Sequence, residues 1–215
     1  MKAEILISGF GGQGLMSLGK ILAKAAVLEG KYTVFIPSYG AEMRGGTAHC
    51  FVKISDSSIA SPFVEFPDTA IIFNQPSLVK FRPRITKEAL VILNSELIHS
   101  AASKQRFLKR GIYKRRSVST LSERSESNGL ISKKEGKICG EIIGLPLNKM
   151  ALGCGDLKTA NIIALGVLRA KRPGLVGRKA IISVLKDSFK NKASYEANLR
   201  GFELGENYQN YRAKA

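Results

Sequence analysis

The chain opens on an apolar run, Ala3-Glu4-Ile5-Leu6-Ile7-Ser8, that breaks into Gly9-Phe10-Gly11-Gly12-Gln13-Gly14. It resumes with Leu15, Leu18, Ile21, Leu22, Ala25 and Ala26 at helical spacing and closes at Glu29-Gly30. A short continuous apolar run predicts a strand buried on both faces, and the three- and four-residue spacing predicts a helix with one apolar stripe. Strand, glycine turn and helix in that order begin a doubly wound α/β sheet. A second strand, Tyr32-Thr33-Val34-Phe35-Ile36, stops at Pro37. A βαβ unit with a right-handed crossover is therefore expected at the start of the chain.

The rest of the chain extends that architecture. Ala48, Cys50, Val52 and Ile54 alternate and then meet the turn Ser55-Asp56-Ser57-Ser58, which predicts an antiparallel hairpin arm beside the parallel core. Thr69-Ala70-Ile71-Ile72-Phe73-Asn74 and Ala89-Leu90-Val91-Ile92-Leu93-Asn94 read as two more buried strands, each ending in Asn at the carboxyl edge, where open α/β sheets bind ligands. Residues 137–143 form another strand candidate, and Pro146 starts a helix. Asp156 can cap a helix so apolar that protein must nearly surround it. Gly174 to Phe189 forms an amphipathic helix, and a helical tail from Lys192 to Tyr208 docks through Tyr195, Leu199 and Phe202. The expected fold is α/β, a doubly wound, mostly parallel, Rossmann-like sheet with an antiparallel hairpin arm and a helical C-terminal end. All 215 residues belong to one domain, within which 101–137 form a basic insert or long loop.

Gly9, Gly11 and Gly14 satisfy the spacing G-x-G-x-x-G in the required strand-to-helix context. Glycines let the backbone approach an anion, and free amides at a helix start carry partial positive charge. The same spacing also suits a tight turn that holds no ligand. A dinucleotide site wants an acid at the end of the second strand, but the first acid beyond it is Glu42; a P-loop wants a Lys-Ser/Thr pair, which is missing. Gln13 adds a side chain that can donate and accept at this edge. A second glycine cluster, Pro37 to Gly46, brings Ser38, Tyr39, Arg44, Gly45 and Gly46 to the same edge. Arg44 presents a fork suited to phosphate or carboxylate, unless it pairs with Glu42 for purely structural reasons.

The candidate binding residues are thus Gly11, Gly12, Gln13, Gly14, Ser38, Tyr39, Arg44, Gly45, Gly46 and Asn74. No catalytic constellation is present. His49 lies on the outward face of its strand as a surface residue, and no Ser-His-Asp, Cys-His or paired-carboxylate set can be built around it or His99. Cys50, Cys139 and Cys154 are too scattered for a zinc or iron–sulfur site within this chain and read as free buried thiols.

The formal net charge of +17 favours an anionic partner. Residues 101–137 carry eleven basic residues against three acidic ones, a surplus of +8, with Phe107 and Tyr113 as their only aromatics. A nucleic-acid surface would interleave more stacking groups, so docking on an acidic partner subunit is the favoured reading, and nucleic-acid binding through this segment is the alternative. No run approaches the length of a membrane span and no signal-peptide pattern opens the chain, which points to the cytoplasm and to no membrane partner.

On these residues the sequence resembles the gamma subunit of 2-oxoacid:ferredoxin oxidoreductases. The matching segments are Gly9 to Gly14, Pro37 to Gly46, Ile54-Ser55-Asp56 with Ser61-Pro62, Pro67-Asp68, Asn94-Ser95, Asn161 to Gly166 and Asn198 to Phe202. The resemblance implies a partner chain that closes an active site and helps accommodate coenzyme A, with no catalytic residues of its own. Thiamine diphosphate, Mg and iron–sulfur clusters are then held by alpha and beta subunits, with a ferredoxin-like delta as an optional fourth chain and ferredoxin as the acceptor. Glu42-Met43 before Arg44 looks more like the 2-oxoglutarate and 2-oxoisovalerate members than the pyruvate ones. The chain departs from the family between Asn94 and Pro146, where the connection is usually much shorter.

Overall fold

The computed structural model describes residues 1–38, 47–98 and 141–212. Tyr39 to Gly46, which include Arg44, Gly45 and Gly46, and the basic segment 101–137 lie outside the described residues, as do His99 and Cys139.

Six strands form one mixed sheet: β1 Lys2–Phe10, β2 Tyr32–Ser38, β3 Thr47–Ser55, β4 Thr69–Ile72, β5 Leu90–Asn94 and β6 Ile142–Leu145, in the order β2-β3-β1-β4-β5-β6. β1, β4, β5 and β6 pair parallel, and β3 runs antiparallel to both of its neighbours. The expected α/β sheet and antiparallel hairpin are present, but their arrangement is tighter than the local pattern implies. β3 is inserted between β1 and β2, so the first two strands point the same way without pairing. The reason is β3's burial: from Cys50 to Ser55 every residue is buried, a profile that suits a central strand.

Side chains alternate between two apolar layers. Ile5, Ile7, Cys50, Val52, Ile54, Ile71 and Ile92 face the larger layer, together with α1 Leu15–Leu28, α4 Ala160–Lys171 and α5 Arg178–Ser188. Leu6, Phe51, Ala70, Ile72, Val91 and Leu93 face a smaller one, shared with α2 Gln75–Phe81. A short helix α3 Leu147–Gly153 follows Pro146, a tight turn Leu157–Thr159 leads into α4, and α6 Lys192–Glu206 with α7 Tyr208–Arg212 forms the helical end.

As its composition requires, α4 is buried at every position from Ala160 to Leu168. The tail docks differently from the apolar-stripe expectation. Phe202 is fully buried and Tyr195 packs at the margin, but the contact face of α6 is Ala197, Asn198, Gly201 and Gly205, with Leu199 only half-buried. A Cβ on Gly205 would lie 2.1 Å from the Ile163 carbonyl oxygen, and one on Gly166 2.2 Å from that of Phe202. Backbone-to-backbone contact brings α6 onto α4, so small residues take the place a leucine stripe would otherwise fill.

Candidate functional site

The glycine loop joins β1 to α1 at the carboxyl edge of the parallel strands. Its glycines divide into two roles. Gly14 has φ +73°, and a Cβ there would sit 2.3 Å from Asn161 Nδ2, while a Cβ on Gly9 would meet Gln13 Oε1 at 2.4 Å and Phe73 Cβ at 2.8 Å. These two shape the turn, as does Gly12 through its φ of +92°. Gly11 and Gly12 are exposed, and a Cβ on either would touch nothing within 4 Å. The loop tip therefore offers open backbone, and Gly14, the residue at the N-cap of α1, provides no side-chain cap for the first-turn amides.

Gln13 folds inward. Its Oε1 accepts a hydrogen bond from Phe10 N at 2.6 Å, so the acceptor end of the side chain braces the loop from within. Asn74, just beyond β4, caps α2 by accepting from Ser77 N at 2.8 Å. Its Nδ2 is buried with no hydrogen-bond partner among the described residues, and the residue is 1% exposed. A buried amide N–H₂ left unpaired costs free energy comparable to a lost hydrogen bond, so this edge has donor capacity to spare. Asn94, at the end of β5, donates from Nδ2 to Asn148 Oδ1 at 3.0 Å, and Glu96 Oε2 accepts from Lys149 N at 2.9 Å, which ties the sheet edge to the start of α3. Ser38 closes β2 on the same edge, level with Ser8 but two strands away from it.

Beside the loop lies a cavity of about 330 Å³ lined by Gly12, Gln13, Phe73, Asn148, Asp156, Leu157, Lys158 and Ala160. Asp156 accepts from Lys158 N at 2.9 Å, so it caps the turn that feeds α4 and the apolar helix starts one turn later. The structure thus brings Gly11, Gly12, Gln13 and Gly14 together in one loop, and places Asn74 at the start of α2 and Ser38 at the end of β2, farther along the same sheet edge. Asn148, Leu157 and Lys158 were not legible as site residues, because their only link to the loop is spatial. Asn161 had a visible signal in its matching segment, and its contact is now explicit: Nδ2 donates to the Gly14 carbonyl oxygen at 2.8 Å.

His49 is half-buried and does not simply face solvent. Its ring lies 4.8 Å from that of Phe81 and 5.6 Å from that of Phe51, and its Nδ1 is buried without a hydrogen-bond partner among the described residues. Burial, reinforced by Lys80 and Arg84, pushes its pKa down to about 4. The Cys50 thiol is buried and pushed up to about 12 by desolvation, and Cys50 and Cys154 are free. Among the described residues no helix is long and apolar enough to cross a membrane, and no group of three His, Cys, Asp or Glu could hold a metal ion.

A model of the Pyruvate ferredoxin/flavodoxin oxidoreductase family matches residues 4–208. The chain belongs to this family. It is 31% identical over 207 residues to the ketoisovalerate oxidoreductase subunit VorA of Methanothermobacter thermautotrophicus, covering 95% of this chain and 36% of that relative. The chain thus spans about a third of that protein's length. It is 30% identical over 206 residues to the 2-oxoglutarate synthase subunit KorC of Methanocaldococcus jannaschii, covering 95% of this chain and 92% of the relative. In three dimensions it is similar to the gamma subunit of a keto/oxoacid ferredoxin oxidoreductase from Geobacter sulfurreducens, with a TM-score of 0.67, 25% identity and coverage of 94% and 95% of the two chains. The glycine loop, whose spacing by itself suited either an anion site or a ligand-free turn, therefore belongs to an oxidoreductase-family chain similar to gamma subunits.

Proposed function

We propose that this chain is the gamma subunit of a multi-subunit, thiamine-diphosphate-dependent 2-oxoacid:ferredoxin oxidoreductase, which decarboxylates a 2-oxoacid oxidatively to its acyl-coenzyme A. The chain's task is to close the active site and to receive part of coenzyme A. Alpha and beta subunits, with a ferredoxin-like delta as an optional fourth, would hold thiamine diphosphate, Mg and the iron–sulfur clusters, and ferredoxin would take the electrons in the cytoplasm. The chain acts as one domain and is inactive alone.

The observation that carries the reading is the open backbone of Gly11 and Gly12 at an uncapped helix start, beside a cavity of about 330 Å³. The open amides fit a phosphate-bearing ligand, because backbone N–H groups at a helix start bind an anion. Coenzyme A supplies the thiol that accepts the acyl group. Tyr39, Arg44, Gly45 and Gly46 join this edge in the proposal, with the Arg44 guanidinium pairing to an anionic group.

Reconstitution tests the reading. Adding this chain to its alpha and beta companions should restore viologen reduction that depends on both 2-oxoacid and coenzyme A, and no rate increase on addition would overturn it. Arg44→Ala in the assembled complex should raise the coenzyme A concentration needed for half-maximal rate about tenfold, the loss expected for one charge-assisted contact.

A further inference from the structure

The segment after β3 has no ladder of its own, yet its backbone is held by two cations, one from β3 and one from the turn that follows α2. Lys53 Nζ donates to the carbonyls of Ser61 at 2.8 Å and Phe63 at 2.6 Å, and pairs with Glu4 Oε1 at 3.1 Å. Arg84 Nε donates to the Glu65 carbonyl at 2.9 Å and its Nη2 to that of Val64, while its guanidinium lies 4.9 Å from the centre of the Phe51 ring. Lys53 is 4% exposed, so a buried ammonium is committed to fixing this loop. Burial by itself would raise the Glu4 carboxyl, but hydrogen bonds from Lys2 and Lys53 outweigh it and hold the group below its ordinary range, which keeps the counter-ion charged.

What the clamp presents is Phe63, whose neighbour Val64 is buried while its own side chain is 80% exposed. Folding gains nothing from a phenyl ring in water, and an ordered loop that displays one on charge-assisted hydrogen bonds is preorganised for association. Lys80, Arg82, Arg84 and Lys87 place four cations against Glu88 in residues 80–88, and Arg84 joins that strip directly to the loop, which itself carries the exposed Glu65. A second copy of this chain would bring the same excess of cations to the contact, which electrostatic repulsion opposes.

We propose that Phe63 is the anchor of a subunit interface, and that its occupant is an apolar pocket rimmed by carboxylates on a companion subunit. The inference rests on the gamma-subunit reading and adds to it the surface that docks. An exposed aromatic on a rigid support is the residue type on which binding energy concentrates.

The test compares the wild-type chain with Phe63→Ala and Phe63→Tyr in association with the companion alpha and beta subunits, measured by biolayer interferometry, with circular dichroism and thermal melting run in parallel. Phe63→Ala should fold and melt like the wild type and bind about tenfold or more weakly, Phe63→Tyr should retain binding, and added salt should weaken the wild-type contact. Equal binding by Phe63→Ala overturns the inference and leaves the gamma-subunit reading standing. A wild-type chain that binds no companion overturns both. Self-association of the wild type that Phe63→Ala abolishes would give the surface to a second copy and overturn the companion assignment.

Discussion

Asn161 Nδ2 donates to the Gly14 carbonyl oxygen at 2.8 Å, across 147 positions of sequence. The bond joins the first residue pair of α4 to the left-handed residue that launches α1, so the glycine loop is seated on the most buried helix of the protein. Gly14 and Asn161 are mutually required, because a Cβ at the first would occupy the space of the amide at the second.

Gly14→Ala should therefore destabilise the protein by about 2 kcal/mol, since the left-handed φ and the contact with Asn161 act together. Asn161→Asp, which replaces the donor with an anion facing a carbonyl, should cost a similar ~2 kcal/mol. Urea unfolding monitored by circular dichroism reads both, and wild-type midpoints would refute the coupling.

Gly11→Ala separates binding from folding. Nothing lies within 4 Å of its added Cβ and its φ is not positive, so the unfolding midpoint should stay within about 0.5 kcal/mol of wild type. Coenzyme A dependence of the reconstituted complex should nonetheless weaken, because the methyl group stands where an anion approaches the backbone. Gly9→Ala should show the opposite pattern, with lost stability from its contacts with Gln13 and Phe73.

Gly205→Ala addresses the helix pair. The added methyl would meet the Ile163 carbonyl oxygen at 2.1 Å, a backbone atom that cannot rotate away, and should cost about 3 kcal/mol as α6 is pushed off α4. Differential scanning calorimetry should register a fall in Tm, and an unchanged Tm would mean that the helices are not in this contact.

His49 makes stability fall on acidification. Its folded pKa of about 4 lies below the ordinary value of 6.5, so between these values the unfolded chain takes up a proton that the folded chain refuses. Stability should drop as pH falls through that window, and His49→Phe should flatten the dependence there. Chemical denaturation at pH 7 and pH 4.5 for both proteins measures it, and identical slopes would remove His49 as the cause.

Local periodicity was enough to determine much of this protein. The apolar spacing of α1 and the unbroken hydrophobicity of α4 follow from which side chains must leave water, the alternation was enough to mark β3 as a strand, and the glycine spacing was enough to place a turn between β1 and α1. Asn74 and Asn94 at the ends of two strands were legible for the same reason. Tertiary structure alone decided who sits beside whom. It inserted β3 between β1 and β2, which enclosed His49 among Phe51 and Phe81, and it placed Asn148 and Lys158 beside a loop 130 or more residues earlier in the chain. It also replaced the expected Leu199 contact with Gly201 and Gly205 against α4. Period-two and period-3.6 patterns report burial of one element at a time, whereas strand order and helix approach depend on free-energy differences among long-range pairings that no single segment carries.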